Sequence, residues 1–470
     1  MSNRGRERKA LKDRRWGGKA PPEPIYVCRS HVPLPSNEVS TFGEDANQIA
    51  TALGHLDEQM ARLEKRRPTS VARPSSGARA CTDPKFFRSQ AKTILASKRC
   101  LQAGMWRANA RRRFSSRVSV HAILTGSYKF DVLKKLNEKV TVRHIQKADG
   151  TGHRKLWDFG PVARGAQDLT TSILRMTYTP RDFQFDDLGA GAKVQSAMDL
   201  VAEGFVWFAE VDIIDFFPSF ERSALEEALS VLPKEAVAQI VVAYSAMLVT
   251  PKGSSIPSLS PKARPGIPLG SSASVEVAKW CVATMPAFEL GNVVLINHVD
   301  NFYLFARDFK SLEAATKTLR SAIQGCPGGH FEGKLKQEGS VSDGFNMLGC
   351  DLLVEDGHVV AEPTDANLKK LRKKFGDLRG QVAEAFALAE HTGQKLERFL
   401  AVVDFAQMEN FAKAWASAFS ICADGFCWNM ITEEHRVMIN VLKETHALQE
   451  EEMRIARRYL SAVNLDRYWF

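Results

Sequence analysis

The most constraining feature of the sequence is the stretch LINHVDNFYLFA, which runs from Leu295 to Ala306. Two apolar halves rich in strand-forming residues flank a polar centre that contains His298, Asp300 and Asn301. This pattern predicts a β-hairpin whose strands enter a core and whose tip carries the polar side chains. A second apolar run, FVWFAEV, ends directly before Asp212 and predicts a buried strand that delivers another carboxylate.

Two carboxylates on neighbouring strands can hold divalent metal ions. Mg²⁺ takes oxygen ligands in octahedral geometry and commonly binds through one or two carboxylates plus the phosphates of a substrate. Two such ions about 4 Å apart activate an attacking oxygen and stabilise a leaving oxygen in phosphoryl transfer. An aspartate at a strand end is also a common turn or capping residue, so the pair alone leaves both interpretations open.

Composition narrows the class of protein. With 470 residues, 44% of them hydrophobic, the chain can bury a core and predicts two to four subdomains. A formal charge of +10 favours a polyanionic partner, nucleic acid ahead of an anionic membrane. There is neither a membrane-spanning apolar run nor an apolar signal core, and the eight cysteines lack zinc-site spacing. We therefore expect a soluble, cytoplasmic protein.

The first third of the chain is unusually basic. Residues 1–80 contain Pro-rich and Ser-rich pieces and predict a largely flexible extension with one short helix near Ala46–Arg66. From Pro84 to Arg117 there are ten Lys or Arg residues and no acid, interleaved with an apolar stripe. This segment predicts helices that bind a nucleic-acid backbone, with a solvated basic face as the alternative. After Leu353 the periodicity is mostly helical.

Five segments, in order, resemble motifs of the reverse transcriptase family. KADGTGHRKLWDFGPVARGAQDL is similar to the fingers strands, EVDIIDFFPSF to the first catalytic palm motif, and GIPLGSSAS to the template and nucleotide loop. HVDNFYLF resembles the catalytic hairpin, and KLKQEGSVSDGFNMLGCDL the lysine motif and the primer-gripping turn. The FFPSF and GIPLG forms are closest in style to the reverse transcriptases of bacterial abortive-infection and antiphage defence systems.

The resemblance implies an α+β fold of the right-hand polymerase type. Fingers and palm would form an antiparallel sheet with palm helices, followed by a helical thumb and C-terminal region. The implied divisions are 1–80 as the basic extension, 81–200 as basic helices and fingers, 201–355 as the palm, and 356–470 as the helical thumb and C-terminal region.

The resemblance also implies catalytic roles. Asp212, Asp300 and Asn301 would form the catalytic metal set, with the backbone carbonyl of Ile213, and would hold two Mg²⁺ ions, with Mn²⁺ as an alternative. Lys336, with Lys334 as the competing choice, would act as a general acid toward pyrophosphate. Asn301 stands where the family usually has a second aspartate, so we expect weakened or more metal-selective activity.

A further set of residues would bind the nucleotide. Cationic side chains would clamp the triphosphate, an aromatic gate would exclude a ribose 2′-hydroxyl, and glycines would let the loop backbone approach closely. The implied nucleotide-binding residues are Lys147, Arg154, Phe217, Gly266, Pro268, Leu269, Gly270 and Ser274. Leu348 and Gly349 would support the primer terminus.

The implied function is an RNA-directed DNA polymerase that extends a primer with deoxynucleotides. Its partners would be an RNA template or a dedicated noncoding RNA, a DNA primer or product, and dNTPs, with no membrane; antiviral defence is a role that the resemblance alone suggests. Two alternatives stay open. One is a template-independent or protein-primed DNA polymerase of the same fold, using a hydroxyl such as that of Tyr303 or Tyr468. The other is a non-catalytic RNA-binding scaffold whose palm is degenerate through Asn301.

Overall fold

The structure is mixed α and β, with three small sheets. It is a computed structural model and describes residues 44–68, 83–110, 112, 118–146, 153–184, 189–252, 266–355, 358–393, 395–418 and 426–463. Within these ranges every strand pairing is antiparallel except one. The predicted combination of helices with antiparallel sheets is therefore confirmed, whereas the four-part division of the chain stays a prediction.

Four helices open the described chain: α1 Glu44–Glu64, α2 Pro84–Ala96, α3 Lys98–Ala110 and α4 Val120–Gly126. The predicted helix near residues 46–66 is confirmed as α1. Its residues Ile49, Leu56 and Met60 repeat at helical spacing and are buried, because that face packs against α3. Asp83 starts α2 by accepting a hydrogen bond from the backbone N–H of Phe86 at 3.0 Å.

The next unit is a hairpin followed by a buried helix. Strands β1 (Lys139–Gln146) and β2 (His153–Asp158) are antiparallel and lead into α5 (Pro161–Arg175). Helices α3 and α5 touch through their backbones, since a Cβ on Gly104 would lie only 2.6 Å from the carbonyl oxygen of Gly165. The same interface buries an ion pair, with Arg107 Nε 3.1 Å from Asp168 Oδ2 and both side chains almost fully enclosed.

A four-stranded sheet, called the central sheet, has the strand order β5 (Val294–His298), β6 (Asn301–Ala306), β3 (Trp207–Ile213) and β7 (Gly333–Ser340). Helix α6 (Gly189–Ala202) precedes β3 (Trp207–Ile213). The segment after β3 contains α7 (Arg222–Ala228), the single turn α8 (Lys234–Ala236), a π-helical turn over Val237–Val241, and β4 (Met247–Val249). The periodicity of residues 221–248 predicts helix with a break at Pro233, which is wrong at its end because β4 pairs in parallel with β1.

The remaining elements complete the central sheet and add a small sheet and a helical region. They are α9 (Ser272–Ala283), β5 (Val294–His298), β6 (Asn301–Ala306), α10 (Phe309–Gln324), β7 (Gly333–Ser340), β8 (Phe345–Met347), β9 (Cys350–Glu355), β10 (His358–Pro363), α11 (Asp365–Thr392), α12 (Lys395–Ala418), α13 (Phe426–Thr445) and α14 (Glu450–Val463). The predicted helical character after Leu353 is confirmed from α11 onward. No helix in the described ranges is long and apolar enough to cross a membrane.

Candidate active site

The predicted hairpin is present, and it places Asp300 beside Asp212. Strands β5 and β6 pair from Val294 with Phe305 to His298 with Asn301, which leaves Val299 and Asp300 as a two-residue turn. Strand β3 lies on the other side of β6 with Asp212 directly opposite Asn301. The backbone N–H of Ile213 donates to the carbonyl of Asp300 at 3.1 Å, so the two aspartates lie at the same end of adjacent strands.

The turn that carries Asp300 has an unfavourable backbone conformation. Val299 has φ of +56°, in the left-handed region that a β-branched residue rarely adopts. The buried side chain of Asn297 holds this turn, because its Nδ2 donates to the carbonyls of Val299 at 3.2 Å and Asn301 at 3.0 Å. Asn297 was not among the residues singled out from the sequence, since one amide in an apolar strand gives no signal of such a role.

Replacing Val299 with Gly is expected to cost at least about 1 kcal/mol less stability than the same replacement at Val354 in β9. Both valines are partly buried against the core, so both variants lose packing and chain entropy. Only at Val299 does glycine also remove the strain of a positive φ. Urea unfolding of the wild type and both variants measures the difference. An equal or larger loss at Val299 would contradict the interpretation of strain.

A β-bulge brings Lys336 to the carboxylates. The register of β3 against β7 shifts between Glu210, which faces Gln337, and Val211, which faces Leu335, so Lys336 is the extra residue. Bulges commonly re-aim a side chain beside a functional site. Here Lys336 Nζ lies 3.1 Å from Asp212 Oδ1 and 3.5 Å from Glu210 Oε1. Of the two lysines proposed from the sequence, Lys336 is the one that the structure places in an ion pair with Asp212.

Asn301 connects the lysine to the second aspartate. Its Oδ1 accepts a hydrogen bond from Lys336 Nζ at 3.0 Å, and its Nδ2 donates to Asp300 Oδ1 at 3.1 Å. The amide oxygen is a metal ligand by the family resemblance. In the structure that oxygen accepts from the ammonium group of Lys336, and its role as a metal ligand stays a prediction.

The charges at this site oppose one another. Burial and the nearby charge of Asp212 raise the pKa of Asp300 from 3.8 to about 6, with Lys336 and Arg154 acting in the opposite direction. Desolvation alone would lower the pKa of Lys336. The hydrogen bond to Asp212 and the charges of Asp212, Glu210 and Asp300 outweigh it and raise that pKa. The site therefore favours a bound cation.

The raised pKa of Asp300 predicts a pH dependence of stability in metal-free protein. Between pH 4 and pH 6 the unfolded chain releases this proton while the folded chain keeps it, so stability falls as the pH rises and stays lower above pH 6. The shift of about two units corresponds to a loss of about 3 kcal/mol. Urea unfolding in EDTA from pH 4 to pH 8 measures it as the difference from Asp300→Asn. A pH-independent difference would contradict the prediction.

Three further residues line the site, and of these only Tyr303 was considered from the sequence, as a possible priming hydroxyl. Glu210 lies two residues before Asp212 on the same face of β3, and Gln337 Nε2 donates to Glu210 Oε2 at 2.9 Å and to the carbonyl of Asn346 at 2.8 Å. Tyr303 is 4% exposed, and burial together with Glu210 raises its pKa while the backbone N–H of Leu348 lowers it. These contacts tie β8 to the central sheet.

The turn between β8 and β9 lies at the edge of this network. Leu348 and Gly349 both have positive φ, +52° and +81°, as a two-residue hairpin turn of this type requires. The carbonyl of Gly349 accepts hydrogen bonds from Thr364 N at 3.0 Å and Asn367 Nδ2 at 2.9 Å. A Cβ at Gly349 would collide with Asn367. The turn is thereby fixed to the start of α11.

The Gly/Pro loop before α9 packs between two parts of the site. Gly266 has φ of +87°, and a Cβ there would collide with the backbone of Phe217, whose carbonyl accepts from Ile267 N at 2.9 Å. The carbonyl of Leu269 accepts from Trp157 N in β2 at 2.8 Å. The loop therefore joins the turn after Asp212 to the β1–β2 hairpin.

The other predicted loop residues have structural contacts. Gly270 has φ of +102°, and a Cβ there would collide with the carbonyl of Trp157. Ser274 is buried and donates from Oγ to the carbonyl of Pro268 at 2.9 Å. Because this hydrogen bond lies inside the fold, Ser274 stabilises the loop from its buried side and does not face the site directly.

The predicted gate and clamp residues have different surroundings. Phe217 is half-buried, with its ring 5.9 Å from that of Phe216. Arg154 is exposed on β2 opposite Ile145, and its positive charge acts to lower the pKa of Asp300. Lys147 lies outside the described residues.

The carboxylate pair fits a divalent cation of the magnesium type. Within the described ranges no group of three or more His, Cys, Asp or Glu side chains converges as a complete metal cage. A pair of carboxylates is nevertheless the protein contribution that Mg²⁺ uses when substrate phosphates supply further ligands. The raised pKa of Asp300 reflects burial and the nearby negative charge of Asp212, which a bound cation would offset.

The chain matches no known family model and no curated protein. Partial structural likeness is found to a telomerase from Candida albicans in complex with the TWJ fragment of telomeric RNA, over 71% of this chain and 64% of that one, at 10% identity and a TM-score of 0.35. An apo telomerase from Candida tropicalis, truncated from its C-terminal domain, is similar over 72% of this chain and 95% of its own, at 9% identity and a TM-score of 0.32. The chain spans less than two thirds of the first structure, and scores of this size define no shared fold.

Proposed function

We propose that this protein is an RNA-directed DNA polymerase. The observation that carries the proposal is the placement of Asp212 and Asp300 at the same end of adjacent antiparallel strands, with Lys336 brought to them by a bulge. A turn or capping role for the aspartates does not require a strained hairpin tip, a second carboxylate alongside it and a lysine placed in an ion pair with one of them.

In this proposal Asp212 and Asp300 hold Mg²⁺, or Mn²⁺ in its place, together with the backbone carbonyl of Ile213. Bound divalent ions lower the pKa of an attacking hydroxyl and stabilise the developing charge on a leaving oxygen. Lys336, whose pKa is raised, stays protonated at neutral pH and has a proton to donate to the pyrophosphate. The chain itself supplies orientation and charge at the site.

The surroundings of the pair suit a deoxynucleotide. Phe217 follows Asp212 in the turn that contacts the Gly266 loop, where an aromatic ring can exclude a ribose 2′-hydroxyl. Arg154 brings a guanidinium toward Asp300 from β2, and Lys147, which lies outside the described residues, is proposed to share the triphosphate. The backbone of Leu269 and Gly270 would contact the base of the nucleotide.

The proposal implies the right-hand arrangement of a polymerase, with fingers, palm and thumb. Fingers would comprise the β1–β2 hairpin, the palm would comprise the central sheet with α9 and α10, and the thumb would begin at α11. The proposed partners are an RNA template or noncoding RNA, a DNA primer or product, and dNTPs. Antiviral defence is the proposed biological role, on the motif style of FFPSF and GIPLG.

The test is incorporation of labelled dNTPs by the purified protein with an RNA template and annealed primer, in Mg²⁺ and separately in Mn²⁺. We expect metal-dependent primer extension that is lost in Asp300→Ala and retained in Glu338→Gln, an exposed carboxylate on β7. Product formed without a template would support the untemplated polymerase instead. Tight RNA binding with no product in either metal would overturn the proposal and favour a scaffold.

The same assay addresses protein priming. Tyr303 is buried between Glu210 and Leu348, so its hydroxyl is not presented to a nucleotide, and Tyr468 lies outside the described residues. Primer extension therefore is the mode that the site favours. Label that remains on the protein after denaturation would identify covalent priming and contradict this choice.

A further inference from the structure

The two aspartates are joined by an unbroken chain of polar contacts. Asp300 Oδ1 accepts from Asn301 Nδ2 at 3.1 Å, and Asn301 Oδ1 accepts from Lys336 Nζ at 3.0 Å. Lys336 Nζ then reaches Asp212 Oδ1 at 3.1 Å. The orientation of the amide follows from the chemistry of its neighbours, because an ammonium group only donates and an ionised carboxylate only accepts.

These side chains determine the net charge at the place where a metal ion would bind. With all groups ionised, the three carboxylates of Glu210, Asp212 and Asp300 and the one ammonium of Lys336 leave a net charge of −2. Arg154 also acts on Asp300, but its guanidinium is exposed on β2 and is largely screened by solvent. One divalent cation neutralises this set. A second divalent cation would give the site a net positive charge. Because the site is partly buried, the two cations would repel each other strongly until the phosphates of a nucleotide bind.

We propose that Lys336, oriented by Asn301, is a built-in cation that takes the place of the second divalent ion in the nucleotide-free protein. The amide at position 301 is therefore a positioning group for Lys336 and not a metal ligand. This inference rests on the proposed function, and it extends it by stating which cation the chain supplies for itself. The nucleotide-free protein then binds a single divalent ion tightly.

The partial exposure of Lys336 makes the device reversible. Its side chain is 41% exposed, so it can swing away from Asp212 without disrupting the core. Gln337 is held separately by Glu210 and the carbonyl of Asn346, which keeps the bulge in place when the lysine moves. Arrival of a triphosphate would supply the negative charge needed to admit a second ion.

The test is a Mn²⁺ titration of the full chain without nucleotide, in which the EPR signal of free hexaaqua Mn²⁺ reports binding. We expect one tight site per wild-type chain and a second site only in the millimolar range or weaker. Lys336→Gln removes one positive charge at this position and should tighten the second site at least about tenfold. Asn301→Asp, which adds a negative charge without removing the lysine, should act in the same direction.

Lys317→Gln is the matched control, since it removes the same charge from the exposed face of α10, away from the carboxylates. We expect it to change the second site less than about twofold, because an exposed charge is largely screened. Two equally tight sites in the wild type, or equal effects of the two lysine variants, would overturn the inference. If the wild type extends primers yet Lys336→Gln still binds one ion, only the inference fails. If the wild type binds no Mn²⁺ and makes no product, the proposed function fails with it.

Discussion

Asp212→Asn is expected to lower the rate of deoxynucleotide incorporation by at least about 10³-fold. A metal ion at such a site contributes several kcal/mol of transition-state stabilisation, and each 1.36 kcal/mol is a factor of ten in rate. Asparagine keeps the size of the side chain but removes the charge that pairs with Lys336 and would hold a cation. Single-turnover extension of a labelled primer measures the rate.

The control for this variant is Glu338→Gln, which makes the same chemical change at an exposed position of the same sheet. It should keep the wild-type rate and unfold within about 0.5 kcal/mol of the wild type. Asp212→Asn should still unfold in one cooperative transition if the loss of activity is chemical and not structural. Incorporation by Asp212→Asn within tenfold of the wild type would show that the carboxylate pair is not the reacting centre.

The largest expected effect on stability is that of Arg107→Met. The Arg107 and Asp168 side chains are 3% and 2% exposed, and Arg107 also donates to Ser172 Oγ at 3.0 Å. Removing the guanidinium breaks this buried ion pair from one side, which costs about 3–5 kcal/mol. Urea unfolding measures the loss.

Two comparisons sharpen that experiment. Arg99→Met is the same substitution on the exposed face of α3 and should change stability by no more than about 0.5 kcal/mol. The double variant Arg107→Met with Asp168→Leu removes both charges and should recover much of the loss, since apolar replacements of a buried pair are often tolerated. A single variant as stable as the wild type would contradict a structural role for the pair.

Arg107 also illustrates the limit of reading charge from sequence. It is one of the ten basic residues between Pro84 and Arg117 that predict a surface for a nucleic-acid backbone. In the fold Arg107 lies in the α3–α5 interface, because it forms an ion pair there with Asp168, which is distant in sequence. Composition predicts that such a segment is basic, and only the tertiary contacts distinguish structural cations from exposed ones such as Lys92.

The local parts of the site could be predicted and the long-range parts could not. The Leu295–Ala306 hairpin follows from two apolar halves around a polar turn, and the loop before α9 follows from its glycine and proline spacing. The family resemblance favours Lys336 over Lys334, but the contact of Lys336 with Asp212 depends on a bulge against β3, which leaves no mark in the sequence of β7. The partners of Asn301 likewise required the register of three strands.

The most direct test of the central claim is the base composition of the product made on defined RNA templates. Four homopolymer RNA templates, each with a matched DNA primer, would be offered all four dNTPs with Mg²⁺ or Mn²⁺. An RNA-directed DNA polymerase incorporates the complementary deoxynucleotide on each template, and Asp212→Asn incorporates none. Products of the same composition on every template, or no product from the wild type in either metal, would contradict it.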